Sequence, residues 1–239
     1  LPGVGPESLG RNHVQPVVVG TTIYVLGGLT TTYRDPVDEV IALDTTDLGA
    51  GWQQRAPLPA PRGSMGCAAR NGAIYCAGGT GDTGADPEPA TNDFYLYETA
   101  YDRWSTLAPM PNARDSAYAH VVDGRLYLIS GRDGNTNSVV PFSDVYDIAS
   151  GSWASVAPPP IARGGYASAV AEGRILVFSG ELAAGAGGNS DGVLASVHEY
   201  DPARDAWRNL IDIPTPRHAF MAVTAEGAGG QIFVHTISG

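Results

Sequence analysis

The feature that most constrains this chain is an eighteen-residue outline that returns along it. Residues 62–79, RGSMGCAARNGAIYCAGG, read as a β-hairpin. Arg62 stands at the entry, followed by a strand of small residues, the two-residue turn Asn71-Gly72, a second strand through Ile74 and Tyr75, and the pair Gly78-Gly79. The outline recurs over 11–28 with Gly20-Thr21 as the turn, over 114–131 with Asp123-Gly124 and over 163–180 with Glu172-Gly173. Arg and the closing Gly are seventeen residues apart in every copy, so one supersecondary unit has been duplicated without insertions.

The rest of each unit repeats in phase. Trp52, Trp104, Trp153 and Trp207 each precede a repeat Arg (Arg62, Arg114, Arg163, Arg217) by ten residues. Seven residues before three of these Trp stands a Tyr followed by an acid: Tyr97-Glu98, Tyr146-Asp147 and Tyr200-Asp201; the first copy has Leu43-Asp44. A Pro-rich connection (APLPAPR, APMPNAR, APPPIAR, IDIPTPR) runs from Trp toward Arg, where Pro fixes φ and ends strand pairing. The 31 Gly and 18 Pro, with only 16% charged residues, suit many short strands joined by turns.

A period of about 50 residues with a Gly pair, a Tyr-acid pair, a Trp and a Pro-Arg entry is similar to the kelch repeat, one four-stranded blade of a β-propeller. Ser130-Gly131 and Ser179-Gly180 depart mildly from the Gly pair. The resemblance implies an all-β kelch-type propeller in a single domain. Its complete blades lie at about 11–59, 62–111, 114–160 and 163–214, with a partial fifth blade at 217–239. A four-stranded sheet cannot bury both faces alone, so blades must stack. In such a stack Gly at the end of the second strand permits close backbone approach, and Trp packs between neighbouring sheets. Four and a half blades leave an open sheet edge. Three endings suit it: a longer propeller of which this chain is a piece, a second subunit, or irregular closure by residues 1–10. The first two are favoured.

The hairpin register places Cys67 opposite Cys76 across the Asn71-Gly72 turn, at a non-hydrogen-bonded pair where a cross-strand disulfide is feasible. A bond there implies an oxidising compartment, secreted or at the cell surface. Unbonded, the two thiols fill the small inner layer that Ala fills in the other copies.

The loops leaving the second strands, 29–38, 80–93, 132–142 and 181–196, vary in length on a scaffold of fixed spacing, which marks their face as the binding surface. Arg11, Arg62, Arg114, Arg163 and Arg217, with Asn12, Gly63, Asp115, Gly164 and His218 beside them, are expected near the channel mouth on that face; Arg132 opens one of its loops. A ring of Arg can hold a carboxylate through bidentate hydrogen bonds, or each Arg can pair inside its own blade. Asp115 and His218 break the pattern and, with Glu181, form the candidate acid–base set, although nothing supplies a nucleophile. Asp133, Asn135, Asn137 and Asp144 mimic the oxygen-ligand spacing of a calcium loop, but Ser138 replaces its turn Gly and the flanks read as strands; an ordinary Asx-rich turn competes.

Composition excludes other classes. A net charge of −11 with 14 Lys and Arg disfavours nucleic acid. No apolar run is long enough to span a bilayer and no leader precedes Leu1, so the chain reads as soluble. The five His show no H-x-x-x-H pair, and no Cys lies in a loop as kelch-type copper oxidases require; no cofactor is expected apart from the weak calcium case. The expected function is a binding module for a protein or an acidic carbohydrate. The alternatives are a funnel enzyme of the sialic-acid mutarotase type, using convergent Asp115, His218 and Glu181, and a structural subunit that self-associates through the open blade.

Overall fold

The computed structural model of the chain describes residues 10–30, 35–81, 83, 89–134, 138–183 and 192–237. Every repeat copy becomes the same object, because a two-residue turn fixes hairpin register and alternation then decides which side chains face inward. The strands are β1 (Val17–Val19), β2 (Thr22–Leu26), β3 (Val40–Asp44) and β4 (Gln53–Arg55) in the first sheet, and β5 (Gly66–Arg70), β6 (Ala73–Ala77), β7 (Phe94–Glu98) and β8 (Arg103–Thr106) in the second. The third sheet has β9 (Ala119–Val122), β10 (Arg125–Ile129), β13 (Ser143–Asp147) and β14 (Ser152–Val156), and a small ribbon of β11 (Arg132–Asp133) with β12 (Ser138–Val139) leaves it. The fourth has β15 (Ala167–Ala171), β16 (Arg174–Phe178), β17 (Val197–Asp201) and β18 (Ala206–Asn209). Each sheet is antiparallel with strands in sequence order, and β19 (Met221–Glu226) with β20 (Ile232–Ile237) forms a separate hairpin.

The chain divides into two compact units, Leu1–Asp115 and Ser116–Gly239. Among the described residues, each unit holds two four-stranded blades, and the second also holds the β19–β20 hairpin. No helix among the described residues is long and apolar enough to cross a membrane.

Within each unit the core forms where one blade meets the next. Tyr24, Val40 and Ala42 of the first blade receive Tyr97 and Trp104 of the second. Tyr127, Val145 and Val156 of the third receive Tyr200 and Trp207 of the fourth. The Tyr pairs meet edge to face, Tyr24–Tyr97 at 6.0 Å and Tyr127–Tyr200 at 5.8 Å between ring centroids, a favourable quadrupole arrangement.

The Gly pairs act as anticipated. Gly27 has φ +60, and a Cβ there would collide with the Arg62 carbonyl; Gly28 N–H donates to that same carbonyl at 2.8 Å. Gly79–Arg114, Gly131–Arg163 and Gly180–Arg217 repeat this bond. Where Ser130 replaces the first Gly, its hydroxyl accepts from Arg163 N–H and donates to the Val140 carbonyl, each at 2.8 Å, so the added side chain is used by the same junction.

Cys67 pairs with Cys76 in the β5–β6 ladder, with Cα atoms 4.2 Å apart, and the two form a disulfide, the bonded alternative of the sequence reading.

Candidate functional site

The Arg11, Arg62 and Arg163 side chains turn into their blades. Arg163 is fully buried: Nη1 donates to the carbonyls of Ser179 (2.7 Å) and Ser196 (3.0 Å), Nη2 to Ser196 Oγ (3.0 Å) and His198 Nδ1 (2.8 Å), and Nε to the Ile161 carbonyl (3.2 Å). Arg11 ion-pairs with Glu39 and reaches the Gly27 and Glu39 carbonyls; Arg62 pairs with Asp93, which also accepts from Tyr95 Oη. Glu39, Asp93 and Ser196 hold one repeat position, the residue before the third strand. Arg114 is 1% exposed. Arg11, Arg62 and Arg163 thus each find acceptors within their own blade, the arrangement that the sequence reading set beside a carboxylate-binding ring. Arg217 is half-buried, and its N–H donates to Ser179 Oγ at 2.7 Å.

What remains on the loop side is a different set. The residues following the second Gly, namely Leu29, Thr80, Arg132 and Glu181, occupy one repeat position. Three of them bridge the residue after the repeat Arg: Asn12 with Leu29, Gly63 with Thr80 and Gly164 with Glu181. In the second unit this position carries opposite charges on adjacent copies, and Arg132 Nη2 donates to Glu181 Oε1. Their side chains keep 15% and 26% exposure, so the pair is both anchored and reachable. Gly164 makes room for it: a Cβ there would lie 2.6 Å from Arg132 Cγ and Nε. A Cβ at Gly165 would stand 3.4 Å from Glu181 Oε1 and 3.8 Å from His218 Cβ, so Arg132, Glu181 and exposed His218 gather around Gly164 and Gly165.

Of the remaining candidates, Asp115 is buried in the first unit at 5% exposure, and Asn12 pairs with His13. Asp133 lies in the β11–β12 ribbon. Asp144 is in β13 with 0% exposure, accepting from Ser155 Oγ at 3.4 Å. Asn135 and Asn137 lie outside the described residues. Among the described residues no three His, Cys, Asp or Glu side chains cluster as metal ligands.

Two imidazoles, buried His198 and half-buried His120, are tuned by the fold. Arg163 only donates, so His198 Nδ1 must accept; burial first, then the neighbouring cation, push the His198 pKa down to about 4. Ser168 Oγ donates to the Leu176 carbonyl and so accepts from His120 Nε2 at 2.8 Å; burial pushes His120 to about 4 as well. The sequence reading missed both imidazoles, and also Glu39 and Asp93, whose common place before the third strand was the available signal.

A family model described as the KLHDC2/KLHL20/DRC7 Kelch-repeats domain matches residues 12–236. The chain belongs to the kelch-repeat family. It is 31% identical over 235 residues to the Kelch-like protein terF of Aspergillus terreus, covering 93% of this chain and 49% of that protein. It is 28% identical over 238 residues to Kelch-like protein 40 of Mus musculus, covering 96% of this chain and 36% of that protein. The kelch chain thus spans about half or less of the length of these relatives. Among solved structures, one titled "Structure of YjhT" superposes with a TM-score of 0.74 at 17% identity, covering 89% of this chain and 69% of that one. This likeness shows the fold, a kelch propeller of four-stranded blades.

Proposed function

We propose that this kelch chain is a binding module whose ligand, a segment of a partner protein, docks on the loop side of the second unit over Arg132, Glu181 and His218. The observation that carries the reading is the contrast between two sets of charges. Arg11, Arg62 and Arg163 find their acceptors within their own blades, whereas Arg132 and Glu181 pair across two blades, beside exposed His218. A partly exposed ion pair contributes little to stability, so holding one on a glycine platform suits recognition of a ligand bearing its own donor and carboxylate. The fold family and relatives called Kelch-like support a protein partner. The Cys67–Cys76 bond supports a secreted or surface location.

The test is a displayed-peptide selection on the native chain, followed by affinity measurements on the enriched sequences. Arg132→Ala and Glu181→Ala should each weaken binding at least tenfold with unchanged melting temperature. Equal affinity for the parent and both variants would overturn the reading. A second reading, proton transfer on an acidic sugar by Glu181 and His218, rests on their shared approach to Gly165. Anomer-exchange NMR on sialic acid reads it directly, and exchange no faster than the uncatalysed rate ends it.

A further inference from the structure

Each complete blade ends on an outer strand, β4, β8, β14 or β18, and among the described residues no strand pairs with its outer side. Such an edge invites pairing with another chain, and a charged side chain on it blunts the invitation. Three of the four edges are blunted in this way, by Arg55 in β4, Arg103 in β8 and Arg208 in β18. The third blade departs from them. Its outer strand β14, Ser-Trp-Ala-Ser-Val, is the longest of the four at five residues and carries no charge. Ser152, Ala154 and Ser155 in it are exposed.

Register shows how this edge is presented. Val156 stands three residues after its blade's Trp, as Leu107 and Leu210 do, whose N–H groups donate inward to the carbonyls of Phe94 and Val197. Two-residue alternation then turns Ser152, Ala154 and Val156 toward β13, and directs the N–H and C=O of Trp153 and Ser155 to the outer side. Beyond them Ala157 is held by Asp205 and Trp207 of the fourth blade, which ends the edge.

Two copies of this edge are complementary. Placed antiparallel about a two-fold axis at Ala154, each Trp153 stands opposite Ser155 of the other copy, so the outward groups of the two strands exchange hydrogen bonds. Ala154 then meets Ala154 at a non-hydrogen-bonded pair, where Cα atoms approach to about 4.5 Å and small uncharged side chains fit. The same axis in the fourth blade would oppose Arg208 to Arg208, a destabilising like-charge pair, and in the second would set Arg103 against apolar Leu107. A second copy also brings a strand that its own blade has already ordered, whereas a loose peptide loses backbone entropy when it extends. The net charge of −11 opposes association over long range, but physiological salt screens it beyond about 8 Å and none of it lies on β14. We propose that β14 is a self-association edge, through which two copies of the chain join their third blades into one eight-stranded antiparallel sheet.

The test is sedimentation velocity of the native chain at physiological ionic strength, from micromolar to millimolar concentration. The chain should pass from monomer to dimer as its concentration rises. Ala154→Lys sets two ammonium groups against each other at the axis and should weaken dimerisation at least tenfold, although it lowers the net negative charge. Gln53→Lys makes the same change of charge at the same exposed place in the first blade and should leave dimerisation unaltered. Amide hydrogen exchange on the parent reads the edge without any variant, and the Ser155 N–H should slow as dimer forms. A monomer at every concentration, a dimer that Ala154→Lys leaves intact or that Gln53→Lys weakens equally, or a dimer with unslowed exchange at Ser155 would overturn the proposal.

Discussion

Trp207 Nε1 donates to the carbonyl of Ala157 at 2.9 Å, while Asp205 Oδ1 accepts from the N–H of the same residue at 2.7 Å. Asp205 also accepts from Tyr200 Oη, so Tyr, Asp and Trp of one blade clamp both backbone groups of a single residue in the blade before it. Asp102 and Trp104 clamp Ala56 in the same way in the first unit. This explains the fixed spacing from Trp to the Pro-Arg connection: an insertion there would carry the clamp off its target.

The clamp should be measurable in stability. Trp207→Phe keeps most of the apolar contact and orphans one carbonyl, an expected loss of about 1 kcal/mol in urea unfolding. Asp205→Ala removes the acceptor of two donors and should cost about 2 kcal/mol. A neutral Asp205→Ala would show that the clamp is geometric ornament only.

Substitution of Arg163 and of Arg132 should differ sharply in cost. Arg163→Met takes the guanidinium donor from the Ser179 carbonyl and from His198 Nδ1 in the interior, and a loss of about 3 kcal/mol or more is expected. Arg132→Met breaks a partly exposed pair and should cost less than about 1 kcal/mol. Equal costs would mean that the assignment of one Arg to the scaffold and the other to recognition is wrong.

Reduction of the disulfide should destabilise without unfolding. Residues 67 and 76 close a small loop across strands already paired by hydrogen bonds, so Cys67→Ala with Cys76→Ala is expected to cost on the order of 2–3 kcal/mol. Denaturation curves with and without reductant should reproduce the difference.

Stability should fall on mild acidification. The unfolded imidazoles titrate near pH 6.5, whereas folded His120 and His198 have pKa values of about 4. Between these values the unfolded chain binds more protons, so the contribution is complete above about pH 6.5 and is lost as pH drops toward 4. Asp102, held below the usual carboxylate range by the Tyr97 hydroxyl, adds a loss at still lower pH, through its folded value. Urea midpoints at pH 7 and 4.5 test this, and His198→Asn should flatten the profile. A midpoint independent of pH in the parent chain would contradict the lowered pKa of both rings.

Much of the scaffold was legible in the chain. Asn71-Gly72, Asp123-Gly124 and Glu172-Gly173 all adopt positive φ at both turn residues, which sets the hairpin register and with it the Cys67–Cys76 pairing. Less legible was the left-handed residue two after each repeat Arg. His13, Ser64, Ser116, Gly165 and Ala219 all have φ between 52 and 58, and only one of them is the Gly that such a conformation favours. The bonds from Ser64 N–H to the His13 carbonyl and from Ala219 N–H to the Gly165 carbonyl, both 2.8 Å, hold those backbones, and they join residues about fifty positions apart.

The sequence by itself therefore determined the period, the strand register and the places where Gly, Trp and Cys must stand, because all of these follow from local turn geometry and two-residue alternation. Only the tertiary structure decided where the charges go. Arg163 is buried because Ser196 and His198 arrive from more than thirty residues away, and Arg132 meets Glu181 because two blades place the same repeat position side by side. The destination of a long flexible side chain depends on acceptors that the fold brings to it, which no local pattern records.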